Sequence, residues 1–173
     1  MEILIPLCDK DGQVIGQEEK MEVHKKGLLH LAFSVLIFNN KGEILLQKRA
    51  STKYHSPSLW TNTCCGHPTL GETPLQSAEK RLFEEMGFTV PLNHEFTFHY
   101  QADFSNGLSE NEIDHVFYGT YNGSIVPNPH EADDYQWENP KITKENIESK
   151  PENYTVWFKE IMNRASPPIN LLI

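Results

Sequence analysis

Three cysteines in 173 residues, two of them adjacent at Cys64 and Cys65, are too few for a disulfide framework, and neighbours on a strand point to opposite faces. A reduced, cytoplasmic setting is expected. No apolar stretch approaches the ~20 residues that a membrane-spanning helix needs. Met1–Lys10 holds only a short apolar run broken by Pro6, with no small-residue cleavage site, so no export signal is expected. The terminal Leu171-Leu172-Ile173 is not a peroxisomal address. The chain also lacks internal repeats, low-complexity tracts and any basic excess. Its net charge of −9 argues against nucleic acid or an anionic membrane as a partner.

That charge is unevenly placed. Residues 1–90 are near balance and hold Lys20, Lys48, Arg49, Lys53 and Arg81, whereas the remainder is dominated by acids. An anionic small molecule is therefore expected to bind through the first half. The length, with 38% hydrophobic residues, suits one core and is short for two, so a single domain over residues 1–173 is expected.

Hydrophobic periodicity orders the chain. Met1–Leu7 and Gln13–Gln17 read as strands around a turn at Asp9–Gly12, and Glu18–Lys26 as a short helix or irregular arm. The apolar run His30–Phe38 and the segment Glu43–Arg49 read as a hairpin in the middle of a sheet. Ala50–Ser58 reads as a loop, and Leu59–Cys65 as a strand that breaks at Gly66. A helix begins at Pro74, capped by Thr73 with Gln76, and closes at Gly87. Its Leu75, Ala78, Leu82 and Met86 share one face. Glu95–Asp103 and Ile113–Tyr121 read as strands, Asn122-Gly123 as a hairpin signal and Tyr135–Glu138 as a short strand. Ile142–Glu148 and Asn153–Arg164 read as helices ending near Pro167-Pro168. Strands on both sides of a central helix, with helices at the end, suggest the α/β class, an α/β/α sandwich around a mixed sheet.

The chemistry clusters between Leu59 and Phe88. The frame from Gly66 through Glu72, Arg81, Glu84, Glu85 and Gly87 to Phe88 resembles the Nudix box, which holds divalent cations on a diphosphate and usually ends Arg-Glu-apolar-x-Glu-Glu-x-Gly-apolar. Here Lys80 stands at the Arg position and Arg81 at the first Glu position. That replacement trades a cation ligand for a guanidinium fork that grips phosphate directly, as suits a site that holds a diphosphate without hydrolysing it.

Among eight histidines, His55, His94, His99, His115 and His130 read as surface or satisfied core residues. His24, His30 and His67 keep different company, since Glu110 and Glu112 would share a face of a regular strand. Three imidazoles and two carboxylates suit Zn²⁺, Mn²⁺ or Fe²⁺. The short interval between His24 and His30 leaves the reach of His24 to the fold.

The motifs TNTCCGHP at Thr61–Pro68, SENEID at Ser109–Asp114 and HLAFS at His30–Ser34 stand together with Tyr100 and Trp157. They are similar to those of the type 1 isopentenyl-diphosphate isomerases of the Nudix superfamily, and the likeness runs from Lys20 to Trp157. The resemblance implies a Nudix-like sandwich with additional N-terminal strands. It also implies interconversion of isopentenyl and dimethylallyl diphosphate through a carbocation, in isoprenoid precursor synthesis. By the same resemblance Cys65 acts on one side of the substrate, Glu112 with Tyr100 on the other, and the Trp157 ring stabilises the cation. A tight Zn²⁺ or Mn²⁺ would be held by His24, His30, His67, Glu110 and Glu112. Mg²⁺ would bridge the diphosphate to Glu85 and the Cys65 region, with Lys20, Arg49, Lys53 and Arg81 as diphosphate contacts. The partner is a small diphosphate, and the assembly a monomer or homodimer. Of two rivals, a Nudix hydrolase of a nucleoside diphosphate derivative needs a full set of helix carboxylates, which Arg81 opposes. A zinc-stabilised binding module leaves Cys65, Tyr100 and Trp157 without a shared reason.

Overall fold

The computed structural model describes residues 3–165. In order they form strands β1 (Leu4–Cys8) and β2 (Val14–Glu19), helix α1 (Lys20–Lys26), then β3 (His30–Phe38), β4 (Ile44–Arg49), β5 (Trp60–Thr61) and β6 (Cys64–Gly66). Helix α2 (Pro74–Met86), strands β7 (Asn93–Asp103), β8 (Ser109–Thr120) and β9 (Ala132–Glu138), and helices α3 (Pro140–Ser149) and α4 (Val156–Arg164) complete them. The strands of the described residues join one mixed sheet.

β3 is buried along its whole length because both of its faces are covered. Phe33, Val35 and Ile37 pack on Ala78, Leu82 and Met86 of α2. Leu36 and Phe38 pack on Ile147 of α3 and on Trp157, Phe158 and Ile161 of α4. Burying each such side chain stabilises the fold by about 1.5–3 kcal/mol, and the strand's period of two divides those contacts between the layers. The sheet thus lies between α2 and the α3/α4 pair, as the order of elements predicts.

α2 begins and ends where the sequence places it. Thr73 Oγ1 accepts from the Gln76 amide at 3.2 Å, and Gln76 Oε1 accepts from the Thr73 amide at 2.9 Å. Gly87 closes the helix at φ +80°, where an added Cβ would stand 2.5 Å from the Val126 carbonyl oxygen. Conformation and space both demand glycine there.

Four expectations are corrected. The β3/β4 hairpin pairs only at Phe38 and Ile44 and then opens, because the segment after β5 wedges between the strands. Thr63 Oγ1 accepts from the Ile37 amide at 2.9 Å and donates to the Leu45 carbonyl at 2.7 Å, taking over hydrogen bonds that each strand would have offered the other. The strand expected at Leu59–Cys65 is accordingly two short strands with Asn62 and Thr63 between them. Asn122-Gly123 does not turn a hairpin, since β9 pairs with β4 and not with β8. The chain instead crosses the end of α2, where the Val126 amide donates to Met86 and the Asn128 amide to Glu85. Finally β8 starts at Ser109 and not Ile113, so Glu110 and Glu112 lie within a regular strand. Met1, and the helix stop expected at Pro167-Pro168, lie outside the described residues. Among the described residues no helix is long and apolar enough to cross a membrane.

The wedge generates a test. Thr63→Val keeps the shape of this fully buried residue but strands a buried amide and a buried carbonyl, each costing about 1–3 kcal/mol. Urea unfolding should show a loss of about 2–4 kcal/mol, and a midpoint within error of wild type would refute the role given to this hydroxyl.

Candidate active site

The cavity floor is the α4-facing side of the sheet. β8 runs parallel to β3 and antiparallel to β7, and the registers pair His30 with Glu112 and Glu112 with Tyr100. Three strands therefore present His30, Glu112 and Tyr100 side by side. On the other edge of β3, β6 pairs Cys65 with Ser34. Cys65 and Glu112 thus stand on opposite sides of β3 and line one cavity of about 440 Å³ with Tyr100 and Trp157. Cys64 points the other way into the α2 core, as alternation on a strand requires.

His24, His30, His67, Glu110 and Glu112 converge at one end, each offering a ligand atom within 4.8 Å of the others. The surroundings fix which nitrogens face inward. His24 Nδ1 lies 2.6 Å from the Lys20 carbonyl, and His30 Nδ1 lies 2.8 Å from the Leu28 carbonyl. A carbonyl only accepts, so both Nδ1 atoms carry a proton and both Nε2 atoms are turned toward carboxylates, where a neutral ring would present a lone pair. His24 Nε2 stands 3.2 Å from Glu110 Oε2, yet both atoms are buried without a hydrogen bond of proper geometry. His30 and His67 both approach Glu112 Oε1, at 3.2 and 3.1 Å. Burial opposes charge on either ring and pushes His67 down to about 4. At His30 the Glu112 carboxylate outweighs burial, and the shift is upward. A cation placed among these atoms would take the imidazole lone pairs and both carboxylates as ligands. The donor set fits a divalent transition metal. The short interval does not keep His24 out, because α1 and its Gly27 cap at φ +60° turn the chain back before β3.

The proton-handling pair is set by its surroundings. Burial pushes the Cys65 thiol up to about 12; the Arg49 guanidinium works against that rise, and the Glu85, Glu112 and Asp114 carboxylates add to it. Burial would also raise Glu112, but hydrogen bonds from His30 and His67 hold its carboxyl well below the usual range. Tyr100 donates to Glu112 Oε2 at 2.7 Å, and burial followed by the Glu112 charge keeps the phenol protonated. Trp157 donates from Nε1 to Asn62 Oδ1 at 3.2 Å, and the Arg49 guanidinium lies 5.2 Å from its ring.

The cations line the same cavity. Lys20 Nζ lies 4.4 Å from the Tyr54 ring, and burial followed by repulsion from Lys53 and Arg49 lowers its pKa. Arg49 donates to the Ser56 carbonyl at 3.2 Å and the His55 carbonyl at 3.1 Å, fixing a loop in which Ser56 and Ser58 take positive φ angles of 48° and 62°. Arg81 does not stand as an open fork. It binds Glu84 and Glu85 at 2.7 Å each and Glu131 at 3.1 Å. Lys53 also pairs with Glu131. Glu85 is buried, accepts from Gln47 at 3.0 Å, and is raised by burial despite Arg81. A carboxylate of this kind is a hard oxygen donor able to hold a divalent cation.

Sequence reading missed several parts. His55, read from the sequence as a surface or satisfied core residue, is buried outside the metal cluster and supports it, holding Glu110 Oε1 at 2.9 Å, stacking on Phe104 and meeting the edge of Trp157. A loop residue carries no periodicity that could have flagged it. Asp114, buried and bound by Ser34 at 2.8 Å, continues the alternation of Glu110 and Glu112, a signal that was present. Glu131 sits in no motif. Of the other histidines set aside, His94, His99 and His130 are exposed and His115 is partly so, and none joins the cluster.

Elemental analysis of the purified chain should find about one transition-metal ion, separate from added Mg²⁺, released on acidification as imidazoles take up protons. His67→Ala should lower metal retention on dialysis at least tenfold, an effect of the ~10-fold-or-more scale seen when a metal shell loses support. Unchanged retention would remove His67 from the shell.

Residues 28–158 match the NUDIX domain. The chain is 48% identical over 166 residues to an isopentenyl-diphosphate Delta-isomerase 2 of Photorhabdus laumondii, covering 96% of this chain and 94% of that one. It is 44% identical to an isopentenyl-diphosphate Delta-isomerase of Serratia proteamaculans, covering 94% and 90%. Among solved structures, a Deinococcus radiodurans protein superposes with a TM-score of 0.76 at 15% identity, over 93% of this chain and 98% of that one. A MutT protein of Methanosarcina mazei superposes with a TM-score of 0.62 at 19% identity, over 79% and 91%. Those two likenesses speak for the fold alone, while the sequence relatives speak for the branch. The chain belongs to the Nudix superfamily and, within it, to the isopentenyl-diphosphate Delta-isomerase family.

Proposed function

We propose that the chain interconverts isopentenyl and dimethylallyl diphosphate by moving one double bond, supplying isoprenoid precursors. The observation that carries the reading is the placement of Cys65 and Glu112 on opposite edges of β3, facing one cavity. A 1,3 proton shift requires a donor at one carbon and an acceptor at another, away from bulk water. The unliganded site is charged for that task. The thiol, near 12, keeps its proton, while Glu112 is ionised and steadied by the Tyr100 hydroxyl. Cys65 Sγ delivers a proton to the terminal alkene carbon, leaving a tertiary cation and a thiolate. Glu112 then takes a proton from the carbon on the far side of the cationic centre, and the double bond forms there. The proton must return from Glu112 to Cys65 before the next round, and the reverse reaction runs the same steps backwards. The Trp157 ring, already next to a guanidinium, offers a π face worth about 0.5–2 kcal/mol to a cation.

His24, His30, His67, Glu110 and Glu112 would hold the tight ion, Zn²⁺ or Mn²⁺. When bound, that ion would lower the proton affinity of Glu112 and fix its position. Glu85 and the Cys65 region would receive Mg²⁺ with the substrate, and Lys20, Arg49, Lys53 and Arg81 would face the diphosphate. The rest of the reading is a single domain over residues 1–173, acting in the cytoplasm as a monomer or homodimer, without nucleic acid or membrane. Arg81 weighs against hydrolysis, because it stands where the Nudix box usually carries a metal-binding Glu and so leaves the helix one carboxylate short.

Incubation with isopentenyl diphosphate and Mg²⁺ should yield dimethylallyl diphosphate and no free phosphate; released phosphate would overturn the assignment. Cys65→Ala should lower kcat by at least the ~10²–10⁴-fold typical of a lost acid or base. Cys64→Ala should keep most activity, and the reverse ranking would refute the face assignment. Arg81→Glu adds a fourth carboxylate beside Glu84, Glu85 and Glu131. It should raise KM at least about tenfold through loss of a charge-assisted contact, and an unchanged KM would remove Arg81 from the diphosphate site.

A further inference from the structure

The strongest unassigned feature of the cavity is Glu131, which lines it from the irregular segment between β8 and β9. One carboxylate oxygen pairs with Lys53, and the other lies 3.1 Å from Arg81. Its backbone is pinned as well, the amide donating to Asn128 and the carbonyl accepting from the Ala50 amide. Asn128 in turn donates to the Glu85 carbonyl at the end of α2. Glu131 is thus fixed between the central helix and the loop that carries Lys53. Burial alone would raise its pKa, but Lys53 and Arg81 hold it below the usual value, as expected of a committed anion.

Resting on the isomerase reading, we propose that Glu131 determines the form of substrate the site accepts. It spans, in the free protein, the two cations that the diphosphate needs, and so selects the Mg²⁺-bound diphosphate over the free one. A bare diphosphate reaching Lys53 and Arg81 must displace the carboxylate, leaving a partly buried anion beside an incoming one. A diphosphate carrying Mg²⁺ brings a hard cation that carboxylates accept as partner. The geometry suits that exchange, because Glu131 Oε1 and Glu85 Oε1 approach the same Arg81 nitrogen, at 3.1 and 2.7 Å. The two carboxylates stand ready on one spot, and only a cation relieves both when Arg81 turns to phosphate. Among the described residues, Arg49 and Lys20 are paired with no carboxylate. Arg49 binds carbonyls of its loop, and Lys20 faces an aromatic ring. Selection for the metal-bound form therefore falls on the Lys53 and Arg81 side.

Isothermal calorimetry with inorganic pyrophosphate, in Mg²⁺-free buffer and with Mg²⁺, reads this without turnover. Glu131→Gln removes the charge and keeps the shape. It should bind Mg²⁺-free pyrophosphate at least about fivefold tighter than wild type, and the gain in affinity from Mg²⁺ should shrink by a similar factor. Glu131→Asp, too short to span both cations, should move the Mg²⁺-free affinity the same way by a smaller factor, and decides the matter if the Gln variant does not fold. Equal or weaker Mg²⁺-free binding in the variants would overturn the proposal, showing that Glu131 merely holds the cations in place. Failure of wild type to form dimethylallyl diphosphate would instead count against the isomerase reading, and the pyrophosphate titration would still decide the role of Glu131.

Discussion

The register of β3 between its two neighbours governs the site. Its parallel ladder with β8 sets His30 beside Glu112, and its antiparallel pairing with β6 sets Ser34 beside Cys65. A slip of one residue on either edge would turn the paired side chains to the α2 face. Hydrophobic packing prevents the slip, since Phe33, Val35 and Ile37 must meet α2 while Leu36 and Phe38 must meet α4. The core and the site are therefore specified by one alternation. The Thr63 wedge is the local device that makes room, opening the edge of β3 so that Cys64–Gly66 can occupy it.

Two charged clusters line the cavity, opposite in kind and alike in logic. In the histidine cluster, imidazoles and carboxylates face one another with His24 Nε2 and Glu110 Oε2 buried without a hydrogen bond. In the cationic cluster, Lys53 and Arg81 are neutralised by Glu84, Glu85 and Glu131. Buried charge left unpaired is expensive, so the chain pairs these cations with its own acids. Trp157 and Tyr100 also line the cavity, where burial keeps the thiol and phenol protonated.

Local signals sufficed wherever a few neighbouring residues decide the conformation. The capping box of α2, its Gly87 stop, the buried run of β3 and the opposite faces of Cys64 and Cys65 all depend on short-range geometry, and the sequence shows each. The motif residues were legible for another reason, since their chemistry and order resemble those of a family. The failures came where distant partners compete. Asn122-Gly123 carries a hairpin signal, but β4 takes β9 as its partner and the chain crosses α2 instead. The β3/β4 hairpin opens because Thr63, far along the chain, offers both strands a substitute hydrogen bond.

The sequence by itself determined the class, the alternation that divides the core, and the residue types able to move a proton and bind a divalent ion. Only the tertiary structure decided which of those residues meet. His24 reaches the cluster because α1 and Gly27 fold it back, although its interval to His30 is short. His55 and Glu131 enter the site from loops, where no period ties side-chain direction to sequence position. Arg81 looks in sequence like an open phosphate fork, yet in the fold it is clasped by three carboxylates, one of them about fifty residues away along the chain. Such pairings are set by the free energy of burying charge across the whole fold, which no local stretch of sequence contains.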